Sequence, residues 1–207
     1  MVRILTIGDS HTAGYPRYDP IRKDNLELTY QYWLKKFLIE NKIFTKVDIF
    51  NFGIPGDSSK GILERLSKVF NDNKYKDSEI FIINGGGNDW GTNPIDYSDT
   101  VQNLLDCCNI CLENDRIVIM SSISPFGDLK IVKQIQELAE ILKKFILNNG
   151  SENLKFFNWF EYVFDQNTNC LYQKYDSGDN EHLNIQGYKQ IGTELAKIIT
   201  RMELREI

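Results

Sequence analysis

Two histidines, His11 and His182, are the only imidazoles in this chain of 207 residues. Serine hydrolysis needs a hydroxyl nucleophile, an imidazole to take its proton, a carboxylate to orient that imidazole, and donors for the oxyanion. Ser10, after Gly8-Asp9, can supply the hydroxyl, and His182 can supply the base. Asp179 stands three residues before His182, close enough to fold back so that its carboxylate accepts from Nδ1. The Ser10 and Gly53 amides and the Asn88 side chain can then serve as three oxyanion donors. Taken singly, each residue has a plainer use: glycine after a strand makes a turn, and Ser, Asn or Asp before a helix makes a cap.

Positioning these groups requires elements that end where they begin. Apolar runs at Arg3–Ile7, Val47–Phe52, Glu79–Ile83, Arg116–Met120 and Lys155–Phe157 read as buried strands. Between them, apolar residues recur at helical spacing: Tyr30 to Leu38, Ile62 to Phe70, Val101 to Leu112 and Ile131 to Ile146; Ile185 to Ile199 closes the chain. A polar loop is expected from about Asp165 to Leu183. This alternation implies an α/β fold in three layers, a mostly parallel five-stranded sheet covered by helices on both faces, in one domain. In such sheets functional residues collect beyond the carboxyl ends of the strands, where Ser10, Gly53 and Asn88 all fall.

Four blocks occur in order: Gly8-Asp9-Ser10, Gly53, Gly86-Gly87-Asn88-Asp89 and Asp179-Asn180-Glu181-His182. In this the chain resembles the GDSL or SGNH hydrolases. The resemblance implies a flavodoxin-like sheet and hydrolysis of an ester through an acyl-enzyme, with no metal or organic cofactor. Ser10 would attack, His182 would act as base and then acid, Asp179 would orient it, and the Ser10 amide, Gly53 amide and Asn88 side chain would hold the oxyanion. His11 departs from the family, which commonly places a hydrophobic residue after the GDS block. It is expected to line the pocket or to hydrogen-bond locally. Asp9 and Trp90 join it as candidate substrate-binding residues. Their plainer readings are bonds to nearby amides for Asp9 and packing under the third loop for Trp90.

Composition narrows the partners. A net charge of −5 argues against nucleic acid, because phosphate binding relies on clustered Lys and Arg. No apolar run approaches the roughly 20 residues of a membrane span, and the start MVRILTIGDS is too short for a signal peptide, so a cytoplasmic enzyme is expected. Cys108 and Cys111 form a C-x-x-C pair. With Val101, Leu104, Leu105 and Leu112 they follow a helical stripe, so core packing is preferred over redox or metal chemistry. The segment Gly14–Leu26, with Tyr15, Arg17, Tyr18, Arg22 and Lys23, follows the nucleophile and suits a polar ester. A short acyl group, acetyl included, on a small molecule or carbohydrate is the expected substrate. Acyl transfer by the same residues is one rival. The other is a non-catalytic flavodoxin-like binding module, but Gly85-Gly86-Gly87 lacks the Lys-Ser/Thr of a phosphate loop, and that reading leaves Asp179 and His182 unused.

Overall fold

A computed structural model describes residues 1–18, 25–90, 96–123, 125 and 129–202. Five strands, β1 (Val2–Gly8), β2 (Val47–Gly53), β3 (Ile80–Ile83), β4 (Ile117–Ser121) and β5 (Leu154–Phe157), form one parallel sheet in the order β2-β1-β3-β4-β5. Alternate side chains leave opposite faces of a strand, and both faces are covered, so the strands read as unbroken apolar runs. Ile4, Ile80 and Ile82 meet α2 (Tyr30–Glu40) and α7 (Ile185–Arg201) on one side. Leu5, Ile7, Phe81 and Ile83 meet α3 (Ser59–Phe70), α4 (Tyr97–Glu113) and α5 (Leu129–Asn149) on the other.

β1 lies between β2 and β3, with the chain running to β2 on one flank and returning to β3 on the other. That reversal opens a crevice at the carboxyl ends of β1 and β3, the place where open α/β sheets bind ligands. The strands occupy the expected segments with ends shifted by at most one residue. The expected loop from Asp165 to Leu183 is more structured than its composition implies. A single turn at Phe160–Val163 leads into a two-residue antiparallel pair, Phe164–Asp165 with Cys170–Leu171, and Asp176 bridges Leu183. Pairs this short carry no periodicity to read.

Cys107, Cys108 and Cys111 are fully buried on α4, and all four cysteines are unpaired. Burial pushes the Cys108 thiol up to about 12, and the Cys107 and Cys111 thiols rise as well. A thiol reaches a nucleophilic state by losing its proton, so these three are core residues. Arg22 and Lys23 lie outside the described residues. Among those described, no helix is long and apolar enough to cross a membrane.

Candidate active site

β1 delivers the backbone to Gly8, and a one-turn helix, α1 (Ser10–Ala13), starts at once. Asp9 is its N-cap, accepting the His11 amide on Oδ1 at 3.0 Å. Ser10 therefore occupies the first turn, where amides have no intrahelical acceptor and face outward.

His182 comes from the segment before α7. Asn184 caps that helix through the Gln186 and Gly187 amides, and its Nδ2 donates to the Lys174 and Asp176 carbonyls. The Ser177 amide donates to the His182 carbonyl at 2.8 Å. Within this frame Asp179 folds back. Its Oδ1 accepts from the His182 amide (2.8 Å), the Glu181 amide (3.0 Å) and the Ser177 hydroxyl (3.2 Å), while Oδ2 accepts from His182 Nδ1 at 2.8 Å. Burial opposes its ionisation, but the His182 amide and ring and the Glu181 amide outweigh it and hold the carboxyl at about 2. Because an ionised Asp179 accepts from Nδ1–H, Nε2 carries the lone pair. The Ser10 hydroxyl donates to it at 3.0 Å. Residues 172 positions apart in sequence thus share one hydrogen bond.

His11 lies beneath this pair, not on a wall facing solvent. It is 1% exposed, stacks on the His182 ring at 5.0 Å and meets Trp159 edge-on at 5.6 Å. Burial, then the neighbouring His182, lowers its pKa to about 3, so the ring stays neutral. Asp9 is also 1% exposed. Both residues are thus buried side chains and do not reach the exposed mouth. Trp90 packs against the core with its ring 6.4 Å from that of Tyr97, in keeping with the packing alternative. Asp89 is fully buried, accepting the Ser59 amide (2.8 Å) and the Thr100 hydroxyl (2.7 Å), and so ties the third loop to α3 and α4.

The Gly53 amide, expected as an oxyanion donor, donates to Asn51 Oδ1 at 2.9 Å. Gly53 is glycine for a steric reason: a Cβ there would lie 2.0 Å from the Ala13 nitrogen, where α1 crosses β2. Gly56, three residues on, sits at φ +78° with open space around it. It belongs to a turn closed by the Asp57 amide on the Ile54 carbonyl, and Asn88 Nδ2 donates to the Asp57 carbonyl at 3.0 Å. That bond uses one of the two Asn88 amide protons and leaves the other free. Arg65 of α3 fastens this turn to the sheet. Its guanidinium donates to Asp57 Oδ2 (2.8 and 2.5 Å), to the Phe52 carbonyl (2.5 Å) and to the Gly8 carbonyl (2.9 Å).

The sequence of residues 4–195 matches the family model described as GDSL-like Lipase/Acylhydrolase. The chain belongs to this family. Solved structures share the fold of this GDSL hydrolase. A member of the lipolytic protein G-D-S-L family from Veillonella parvula superposes with a TM-score of 0.73 at 19% identity, covering 97% of this chain and 100% of its own. The inhibitor-bound aryl esterase of M. smegmatis gives 0.74 at 14%, covering 98% of this chain and 100% of its own. A carbohydrate acetylesterase family member from Sinorhizobium meliloti gives 0.71 at 14%, covering 98% and 99%. No curated protein matches the chain. In the GDSL hydrolase, no three His, Cys, Asp or Glu side chains converge as a metal site among the described residues. A groove of about 540 Å³ beside β5, lined by Phe156, Tyr162 and Ile198 among others, contains none of the residues gathered at Ser10.

Proposed function

We propose that this GDSL hydrolase cleaves short-acyl esters, acetyl esters included, of small molecules or carbohydrates through a covalent acyl-enzyme. The observation that carries the reading is the continuous chain from Ser10 Oγ to His182 Nε2 at 3.0 Å and from Nδ1 to Asp179 at 2.8 Å. In the first step Ser10 Oγ bonds to the ester carbonyl carbon while its proton passes to Nε2. The resulting imidazolium is stabilised by the Asp179 carboxylate. The tetrahedral oxyanion is met by the Ser10 amide, the free proton of the Asn88 amide and the Gly53 amide. As the ester C–O bond breaks, Nε2 returns the proton to the departing alcohol. Water then attacks the acyl-Ser10 ester by the same route, releasing the acid and restoring Ser10. All charge develops within reach of groups already held in place, which is where most of such a rate enhancement arises.

The short acyl group is favoured by the polar mouth, where Tyr15 is 44% exposed beside the imidazole. The structural relatives include, by their names, a carbohydrate acetylesterase family member and an aryl esterase, which fits an ester substrate of this kind. Hydrolysis of p-nitrophenyl esters from acetate to octanoate, with wild type and Ser10→Ala side by side, tests the proposal. Ser10-dependent turnover that falls with chain length is expected. Equal turnover by both proteins, or failure of a fluorophosphonate to label Ser10, would overturn it.

A further inference from the structure

His182 Nε2 must hand its proton to the departing alcohol, so the alcohol oxygen passes within about 3 Å of that atom. One other side-chain acid faces the same atom. Glu181 Oε1 lies 3.9 Å from Nε2, with the side chain 37% exposed at the mouth. It plays no part in orienting the imidazole, which Asp179 does from the opposite nitrogen. Beside it the Tyr15 ring packs edge-on over His182 at 4.7 Å and leaves much of its surface to solvent. A carboxylate and an aromatic ring therefore flank the path along which the alcohol leaves.

Among the described residues, the charges nearest Glu181 do not cancel it: Asp179 is held ionised, and the Arg65 guanidinium is committed to Asp57 and two carbonyls. An alcohol carrying a cation about three bonds beyond its oxygen would meet Glu181 attractively and could lie against Tyr15, and an anion would be repelled. We infer that Glu181 is a specificity-determining residue that makes this enzyme prefer esters whose alcohol portion is positively charged. This rests on the ester hydrolysis proposed above, and it names the alcohol side of that same substrate.

The test compares three acetate esters of aliphatic alcohols: acetylcholine, its uncharged isostere 3,3-dimethylbutyl acetate, and 3-acetoxypropanoate. They are followed by acid release at pH 8 and low ionic strength, with wild type, Ser10→Ala, Glu181→Gln and Glu181→Lys. The readout is the ratio of kcat/KM between esters, so a general loss of activity in a variant cancels. Wild type should favour the cationic over the anionic ester by about 30-fold or more, with the neutral ester between. Added salt should shrink that ratio. Glu181→Gln should bring it below about fivefold, and Glu181→Lys should invert it. Ser10-dependent turnover with the same ratio in wild type and Glu181→Gln would overturn the role of Glu181 and leave the hydrolase standing. Turnover of these esters that persists in Ser10→Ala, or none in any variant, would overturn both.

Discussion

Arg65 and Asp57 form a forked ion pair, Nε and Nη2 both donating to Oδ2, on the turn that carries Gly56. The same guanidinium holds the carbonyls of Gly8 and Phe52, the last backbone acceptors before the nucleophile turn and before the oxyanion turn. One side chain therefore sets the spacing between Ser10 and the donors meant for its oxyanion. Lysine has the charge but not the planar fork. Arg65→Lys should lower kcat by about tenfold or more with KM changed less than threefold, because a displaced donor is felt chiefly in the transition state. Arg65→Ala should in addition destabilise the fold by roughly 1–3 kcal/mol, since it strands a half-buried carboxylate and two carbonyls. Steady-state kinetics and thermal melts check both. A KM effect alone would mean that Arg65 shapes substrate binding.

In the proposed mechanism Asp179 and Asn88 act at opposite ends of the reaction. Asp179→Asn removes the acceptor that fixes the His182 tautomer and should lower kcat by about 10³–10⁴-fold. The carboxyl is held at about 2 against a usual 3.8, so its stabilising bonds are intact above pH 4 and are lost only as the pH falls towards 2. Activity lost between pH 5 and 7 therefore does not come from Asp179, and the acid limb of kcat/KM should keep unit slope down to pH 4. A slope of two would show that Asp179 titrates there. Asn88→Ala should lower kcat by about 10²–10³-fold. A loss confined to KM would move Asn88 from the oxyanion to substrate binding.

Asp9 shows the opposite sign. Burial, with smaller contributions from Glu181 and Asp57, raises its carboxyl from 3.8 to about 7. The folded protein then holds a proton that the unfolded chain gives up above pH 4. Stability linked to Asp9 is fully present below about pH 4 and is lost as the pH rises to about 7, after which the loss is constant. At about 1.4 kcal/mol per pH unit this amounts to at most about 4 kcal/mol. Asp9→Asn keeps the acceptor that caps α1 and removes the charge. The variant should match wild type in melting temperature near pH 4 and exceed it by several degrees at pH 8. An equal difference at both pH values would mean that Asp9 is already ionised in the folded state at low pH.

The sheet and the Ser10–His182–Asp179 line were legible because each rests on a signal that survives in one dimension. The strands are apolar runs stopped by Gly, Pro or Asn, and the three polar groups are of types that few other chemistries need together. The glycines were not separable. Gly53 ends β2 and Gly56 follows three residues on, and only the direction of one amide towards Asn51 and the crowding at Ala13 tell them apart. Arg65 looked like any charge on an amphipathic helix, since its partners are carbonyls from two strands, and carbonyls leave no trace in sequence. The depth of His11 was hidden in the same way: its cover is Trp159, which follows β5 and lies 148 positions away in sequence. Glu181 was visible inside the Asp179–His182 block, but its distance from Nε2 was not.

The thiols give a last, chemical check on the packing of α4. Cys107, Cys108 and Cys111 are closed off from solvent, and burial disfavours their thiolates, whereas Cys170, in the short antiparallel pair, is partly exposed. An aromatic disulfide reagent attacks the thiolate, so its rate follows exposure and ionisation together. In the native protein one thiol per chain should react within minutes and be lost on Cys170→Ser. All four should react once denaturant is added, and the native enzyme should keep its Ser10-dependent activity when Cys170 is blocked. Rapid native reaction of two or three thiols, or a disulfide between Cys108 and Cys111 after mild oxidation without unfolding, would mean that α4 opens readily and that the C-x-x-C pair has a redox role after all.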